Sequence, residues 1–426
     1  MIEKYYSGVI EQIYNRIGKE TRNIVMANYS NDFSIENLEV IRRYQSNEDN
    51  VFFAYSEFSY NTLVGAYEPF LDIICNMHRR FIGGSFDDFQ KECGVYYLHR
   101  QVLNSYYETG ECFREETVLL NEVAYEQRRM TMAIADMLKK LSEVKPLMIV
   151  INRFQMASKS SIETIKYLID NPCANIGIVL GVNAIVKGTD STVEVWDRIV
   201  ESLEDRSAIY YIGSAGPLKN NVKTTNDDEL YITMNFEQSI QEASNIMEFL
   251  DFEQARRGCR IIEHKLKFED AWIDEKSLRR FYMVYARTSV LLGEMSKAIE
   301  LTNEYKALIP ENDSEHYLSL YYFMKGTCYM YQGKLEKAGN SAKSAYDYAV
   351  LAEDDTLIFK AELLSVMIKM SGWYNIFFCV QDIPVSDEII EKLIKHGYRN
   401  HLAHIYIYAY DNSRDVVKQS FLMNHY

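Results

Sequence analysis

A chain of 426 residues has room for two or three domains. Its 46 basic and 61 acidic side chains leave a net charge of −15, a field that repels a phosphate backbone and excludes general nucleic-acid binding. The first twenty residues carry charge throughout, without an apolar signal core, and no apolar run reaches the roughly 18 residues of a membrane span. Seven cysteines are dispersed without a Cys-x-x-Cys pair, so reduced thiols and a cytoplasmic location are expected, with no membrane association. The 33 tyrosines have two readings: codon bias with helix packing, or a tyrosine-rich partner surface.

Residues 1–20 have helical spacing through Tyr5, Val9, Ile13 and Ile17. Asn23–Ala27 reads as a buried strand, followed by a polar loop over Asn28–Asp32 and a helix through Ile35, Leu38 and Ile41. Val51–Tyr55 reads as the next strand, and strand–loop–helix–strand is how a doubly wound α/β domain opens. Residues 63–140 are mostly helical, with Pro69 tolerated in a first turn and a long amphipathic helix over 122–143. Pro146–Ile151 and Asn175–Val182 are continuous apolar runs, as parallel strands covered on both faces require. A helix over Ser160–Ile169 separates them. Ala208–Ile212 and Leu230–Met234 are shorter strand candidates on either side of a polar loop. Strand signals end near 235, so the expected domains are 1–235, α/β, and 236–426, all α.

The second half repeats. Leu292-Gly293-Glu294-Met295-Ser296-Lys297-Ala298, Gln332-Gly333-Lys334-Leu335-Glu336-Lys337-Ala338 and the segment from Ser371 through Gly372 to Phe377 align without gaps, at a period of about 40 residues that marks a helical solenoid. Each glycine suits a left-handed helix end. Ala298 and Ala338 admit a close second helix, while Ala286, Gly326 and Ser365, seven residues before each glycine, serve the same contact from the first. Pro310 closes one unit. These positions resemble the tetratricopeptide repeat, with an earlier unit around Ala255 and a last one within Ile389–Ala409. The resemblance implies a protein or peptide partner on the helical array.

The first half resembles a nucleotide switch whose working residues are replaced. A phosphate loop needs Gly-x-x-x-x-Gly-Lys-Ser/Thr. The matching positions here are Ala27 to Ser34, where Ala27 and Asp32 replace the glycines, Phe33 replaces the lysine and Ser34 alone remains. The run Leu147–Leu168 resembles the Walker B region of STAND-class relatives of AAA ATPases. That family's paired acids fall on Asn152 and Arg153, its third acid on Ser158, and its sensor strand ends at Asn183. The implied fold is a P-loop NTPase-like parallel sheet domain followed by tetratricopeptide-like repeats. The texture resembles the N-terminal regulatory region of clostridial GGDEF-type (diguanylate cyclase) or LuxR-type signalling proteins, although no such output domain is legible here.

The function this implies is a non-catalytic signalling scaffold without a cofactor. Three alternatives stand: an unrelated α/β domain, a divergent switch that hydrolyses ATP with Arg42, Arg43 or Arg153 as substitute cations, and a nucleotide kept as a structural ligand. Elsewhere, His396, His401 and His404 lack the converging partners of a zinc site. Adjacent acids such as Asp87-Asp88 point apart and read as solvated faces. No metal site and no catalytic residue is expected.

Overall fold

The computed structural model describes residues 2–29, 38–46, 50–59, 63–112, 123–183, 186–187, 193–212, 223–224, 235–268, 273–312, 314–373 and 391. Among them, no helix is long and apolar enough to cross a membrane. Packing divides the chain into two compact units, one of residues 1–112 with 124–269 and one of 113–123 with 270–426.

The first unit opens with α1 (Ile2–Arg16), β1 (Ile24–Tyr29), α2 (Glu39–Gln45) and β2 (Phe52–Glu57). Helices α3 (Phe70–Met77), α4 (Phe86–Glu92), α5 (Tyr97–Thr109) and α6 (Val123–Val144) lead to β3 (Leu147–Asn152), α7 (Lys159–Asp170) and β4 (Ile176–Asn183). The short β5 (Val186–Lys187), α8 (Val193–Glu204), β6 (Ile209–Ile212) and β7 (Lys223–Thr224) follow, then α9 (Phe236–Glu248) and α10 (Phe252–Phe268). Five strands form one parallel sheet in the order β2-β3-β4-β1-β6, while β5 and β7 pair separately. The expected strand at Leu230–Met234 lies outside the described residues.

Every residue of β3 and β4 is buried, which is why those strands read as unbroken apolar runs. One face of the sheet packs on α1 through Tyr6, Val9, Ile10 and Ile13 and on α2 through Val40 and Ile41, against Val25, Ala27, Val150 and Val179. The buried stripe on α1 thus begins at Tyr6; Tyr5, the residue expected there, is 63% exposed. The connection from β1 runs to β2 on one side of the sheet, and that from β4 runs past β1 to β6 on the other. Right-handed crossovers in opposite directions place α2 and α8 on opposite faces.

Helices α9 and α10 belong to the sheet unit, so the compact division falls at 269–270, where the strand pattern suggested 235. The Asn245 side chain accepts from the Cys112 amide at 3.1 Å, and the Gln254 amide donates to the Val64 carbonyl at 3.1 Å. A Cβ on Gly258 would meet Leu63 at 2.7 Å, so α10 packs closely there, and Ala255 is buried within this unit.

The second unit contains α11 (Glu275–Leu291), α12 (Met295–Ala307), α13 (Ser314–Tyr331), α14 (Leu335–Leu351) and α15 (Asp355–Trp373), each packed on the next. Gly293 and Gly333 close their helices at φ 80° and 71°. At both, the amide after the glycine reaches back over a whole turn, Glu294 to the Ser289 carbonyl at 2.7 Å and Lys334 to that of Tyr329 at 2.9 Å. Ala286, Ala298 and Ala338 are buried, and a Cβ on Gly326 would touch Leu364 at 3.0 Å and Ser341 at 3.3 Å. Gly372 differs: it lies inside α15. Another turn of this kind falls between α14 and α15, where Glu353 takes φ 54° and the Asp354 amide reaches the Ala349 carbonyl at 3.2 Å. A glycine motif marks where a left-handed residue is cheap; it cannot flag a turn that uses glutamate.

Candidate functional site

In an open parallel sheet, ligands gather at the carboxyl ends of strands where connections diverge. Here that point lies between β1 and β4, whose last residues, Tyr29 and Asn183, are paired in register. Of the matched positions, Ala27 lies on β1, Asn152 ends β3 and Asn183 ends β4, with β4 in the middle, while Arg153 directly follows β3 and Ser158 caps α7. Ala27, Asn152 and Asn183 therefore lie on three adjacent strands.

Ala27 does not begin a loop. It sits in the interior of β1, fully buried, opposite Gly181 on one side and Tyr210 on the other. The strand continues through Asn28 and Tyr29, which the sequence pattern assigned to a loop. Both flanking strands pair with these two residues, and a ladder on each side outweighs the turn preference of asparagine. Asp32, Phe33 and Ser34 lie outside the described residues.

Alternation along the strands puts Tyr29, Gly181, Asn152 and Glu57 on the face covered by α1. The Tyr29 hydroxyl donates to Asn152 Oδ1 at 2.5 Å, deep in the protein. Tyr6 of α1 meets the Tyr29 ring edge to face, with centroids 6.3 Å apart. A Cβ on Gly181 would collide with the Tyr6 hydroxyl and lie 2.8 Å from Asn152 Oδ1. Gly181 is thus required by close approach: its bare Cα is the floor on which Tyr6 and Asn152 rest. Burial, and then the neighbouring Tyr29, Tyr55 and Glu57, push the Tyr6 hydroxyl well above its ordinary range, so it stays protonated.

Arg153 follows Asn152 in a left-handed conformation at φ 54°. Its guanidinium pairs with Glu57 at 3.1 Å, both groups being mostly buried. The Tyr55 hydroxyl donates to the other oxygen of Glu57. The carboxylate at this end of the sheet is therefore engaged by an arginine and a tyrosine. Asn183 is buried, and its amide donates to Gln155 Oε1 at 3.2 Å.

Below this cluster, α7 begins in a knot of hydroxyls. Ser158 caps the helix by accepting from the Ser161 amide, and its hydroxyl lies 3.0 Å from those of Ser160 and Ser161. Ser161 donates to the Glu68 carbonyl at 2.7 Å, and the Tyr67 amide donates to Ser160 Oγ at 3.0 Å. Asp251, between α9 and α10, accepts from the Ser160 amide at 3.0 Å and the Gln254 amide at 3.4 Å. Burial raises the Asp251 carboxyl above its usual range, and the Ser160 hydrogen bonds oppose that rise. The position matched to the family's third acid, Ser158, is thus a helix cap, while a carboxylate from far along the chain, Asp251, accepts from the Ser160 amide of the first turn.

Sequence reading did not single out Tyr6, Tyr29, Glu57 or Asp251. Tyr6 and Tyr29 carry no motif. His396, His401 and His404 lie outside the described residues. Neither a protein-family model nor a curated protein matches this chain.

Proposed function

We propose that this chain is a non-catalytic signalling scaffold, a nucleotide-switch frame that no longer handles nucleotide, coupled to tetratricopeptide-like hairpins that hold a protein or peptide partner. The observation that carries the reading is the hydrogen bond from Tyr29 to Asn152 over Gly181. A working switch keeps this end of the sheet open for phosphate and metal, with oxygen ligands for Mg²⁺ and an acid to orient water. Here two tyrosines fill the space, the Asn152 oxygen faces a hydroxyl donor, and Arg153 and Glu57 neutralise each other. The paired turns at Gly293 and Gly333, with buried small residues at the helix crossings, support the repeat reading. A regulatory role in a bacterial signalling protein of the diguanylate cyclase or LuxR type, acting in the cytoplasm, fits that combination.

Calorimetric titration of the full chain with ATP, with and without Mg²⁺, tests it. The expected result is no saturable heat at millimolar nucleotide and no phosphate release. Tight binding that is lost in Arg153→Gln would refute the emptied site and favour a divergent ATP-binding switch.

A further inference from the structure

A second concavity in the first unit is built quite differently from the plugged strand ends. It has a volume of about 520 Å³ and lies along the outer side of α7, between α6, α8 and the turn at Leu250-Asp251. That volume is within the range of small-molecule sites. Its floor is polar and buried: the Tyr67 hydroxyl lies 3.3 Å from that of Thr131, beside Ser160.

Its lining carries four cations and three carboxylates, Glu163, Asp170 and Asp251. Arg128 of α6, Lys159 and Lys166 of α7 and Arg198 of α8 converge on it from three helices, in a chain whose acids outnumber its bases. Three of these cations pair with a carboxylate, Lys159 with Glu253 at 3.1 Å, Lys166 with Asp170 at 2.7 Å and Arg198 with Glu163 at 3.5 Å. All three pairs are partly exposed, the class of ion pair worth only about 0–1 kcal/mol. Pairs of that strength can be displaced by a better anion. Asp251 also borders the space, but its oxygens accept from the amides of Ser160 and Gln254. Among the described residues, exposed Arg128 makes no ion pair, so it is open to a ligand, together with whichever lysine or arginine a competing anion takes from its carboxylate.

We propose that this groove binds a small multivalent oxyanion, a phosphate or carboxylate compound with two or more negative charges. The rim cations take the charges, and the Tyr67, Thr131 and Ser160 hydroxyls meet the ligand's polar body. The site is separate from the strand ends, so it gives the first unit a ligand response that needs no nucleotide chemistry.

The test uses the full chain and two probes, inorganic pyrophosphate and citrate, titrated calorimetrically against sodium chloride of matched ionic strength. The expected result is saturable binding of at least one probe. Arg128→Glu should weaken it by at least about tenfold, the scale of a lost charge-assisted hydrogen bond, and Arg198→Gln should weaken it less, while Arg153→Gln leaves it unchanged. Arg128 and Arg198 are both exposed, and far-UV circular dichroism of each variant checks that it folds. Pyrophosphate binding alone assigns a phosphate compound, and citrate binding alone a carboxylate. Heats no larger than those of matched chloride overturn the proposal. So does binding that survives Arg128→Glu. Loss with Arg153→Gln instead would move the anion to the strand ends and sink the emptied-site reading as well, whereas loss with Arg128→Glu alone leaves that reading intact.

Discussion

Replacing Asp251 by alanine removes two acceptors at once. The Ser160 amide, 3.0 Å from Asp251 Oδ2, and the Gln254 amide, 3.4 Å from Oδ1, lose their partner. A buried amide without an acceptor costs about 1–3 kcal/mol. The longer Gln254 bond belongs at the low end and the Ser160 bond in the middle. Against this, the wild-type carboxylate carries a desolvation cost, visible in its raised pKa, and alanine relieves it. The expected net loss is about 2–3 kcal/mol. Asp251→Asn keeps one acceptor oxygen and should lose about 1 kcal/mol less. The pH dependence adds a second reading. A carboxyl whose pKa is higher folded than unfolded contributes stability that is fully present below its unfolded pKa, and loses it as pH rises through the folded value. Wild type should therefore shed that contribution on going upward from about pH 4, and the asparagine variant should not. Urea unfolding of the full chain by circular dichroism, repeated across that range, gives both numbers. An alanine variant within about 0.5 kcal/mol of wild type, or an asparagine variant with an unaltered pH slope, would refute the account of Asp251 as a buried double cap.

Two further outcomes follow from the same geometry. Gly181→Ala forces a Cβ into the Tyr6 hydroxyl and the Asn152 amide and should destabilise by about 1–3 kcal/mol; a thermal midpoint equal to wild type would mean the plug is loosely packed. Glu353→Gly relieves an exposed glutamate held at φ 54°, and after the added freedom of the unfolded glycine it should stabilise by about 0.5–1 kcal/mol, read as a raised melting temperature.

What could be read from the residues divides along the range of the forces involved. The unbroken apolar runs of β3 and β4 announce strands covered on both faces, because burial on both sides leaves no polar alternation. Gly293 and Gly333 announce turns because the left-handed conformation selects for glycine. The face of α1 was misread by one residue, since Tyr5 and Tyr6 are chemically identical and only the packing of Tyr6 over Gly181 distinguishes them. An amphipathic helix declares that it has an apolar side but not what covers it, so α9 and α10 could not be assigned to the sheet unit before Asn245 and Gln254 were seen to reach back to Cys112 and Val64. The site was legible as a set of missing groups at Asn152 and Arg153. Its replacements were not: Tyr6, Glu57 and Asp251 reach it from distant parts of the chain and share no spacing.

The position of β1 in the sheet has a consequence for biosynthesis. It is the first strand made, yet its two neighbours, β4 and β6, come from the far side of the domain. At about 5–20 residues per second, the ribosome delivers β4 roughly eight to thirty seconds after β1. Throughout that interval β1 has both hydrogen-bonding edges open, with Val25, Met26 and Ala27 lacking the strands that later bury them. The nascent chain can pair β2 with β3 beforehand, but the sheet cannot close on both edges of β1 until nearly half the polypeptide exists. Sequence changes in β4 are therefore expected to affect the yield of folded protein more than equal changes in β2.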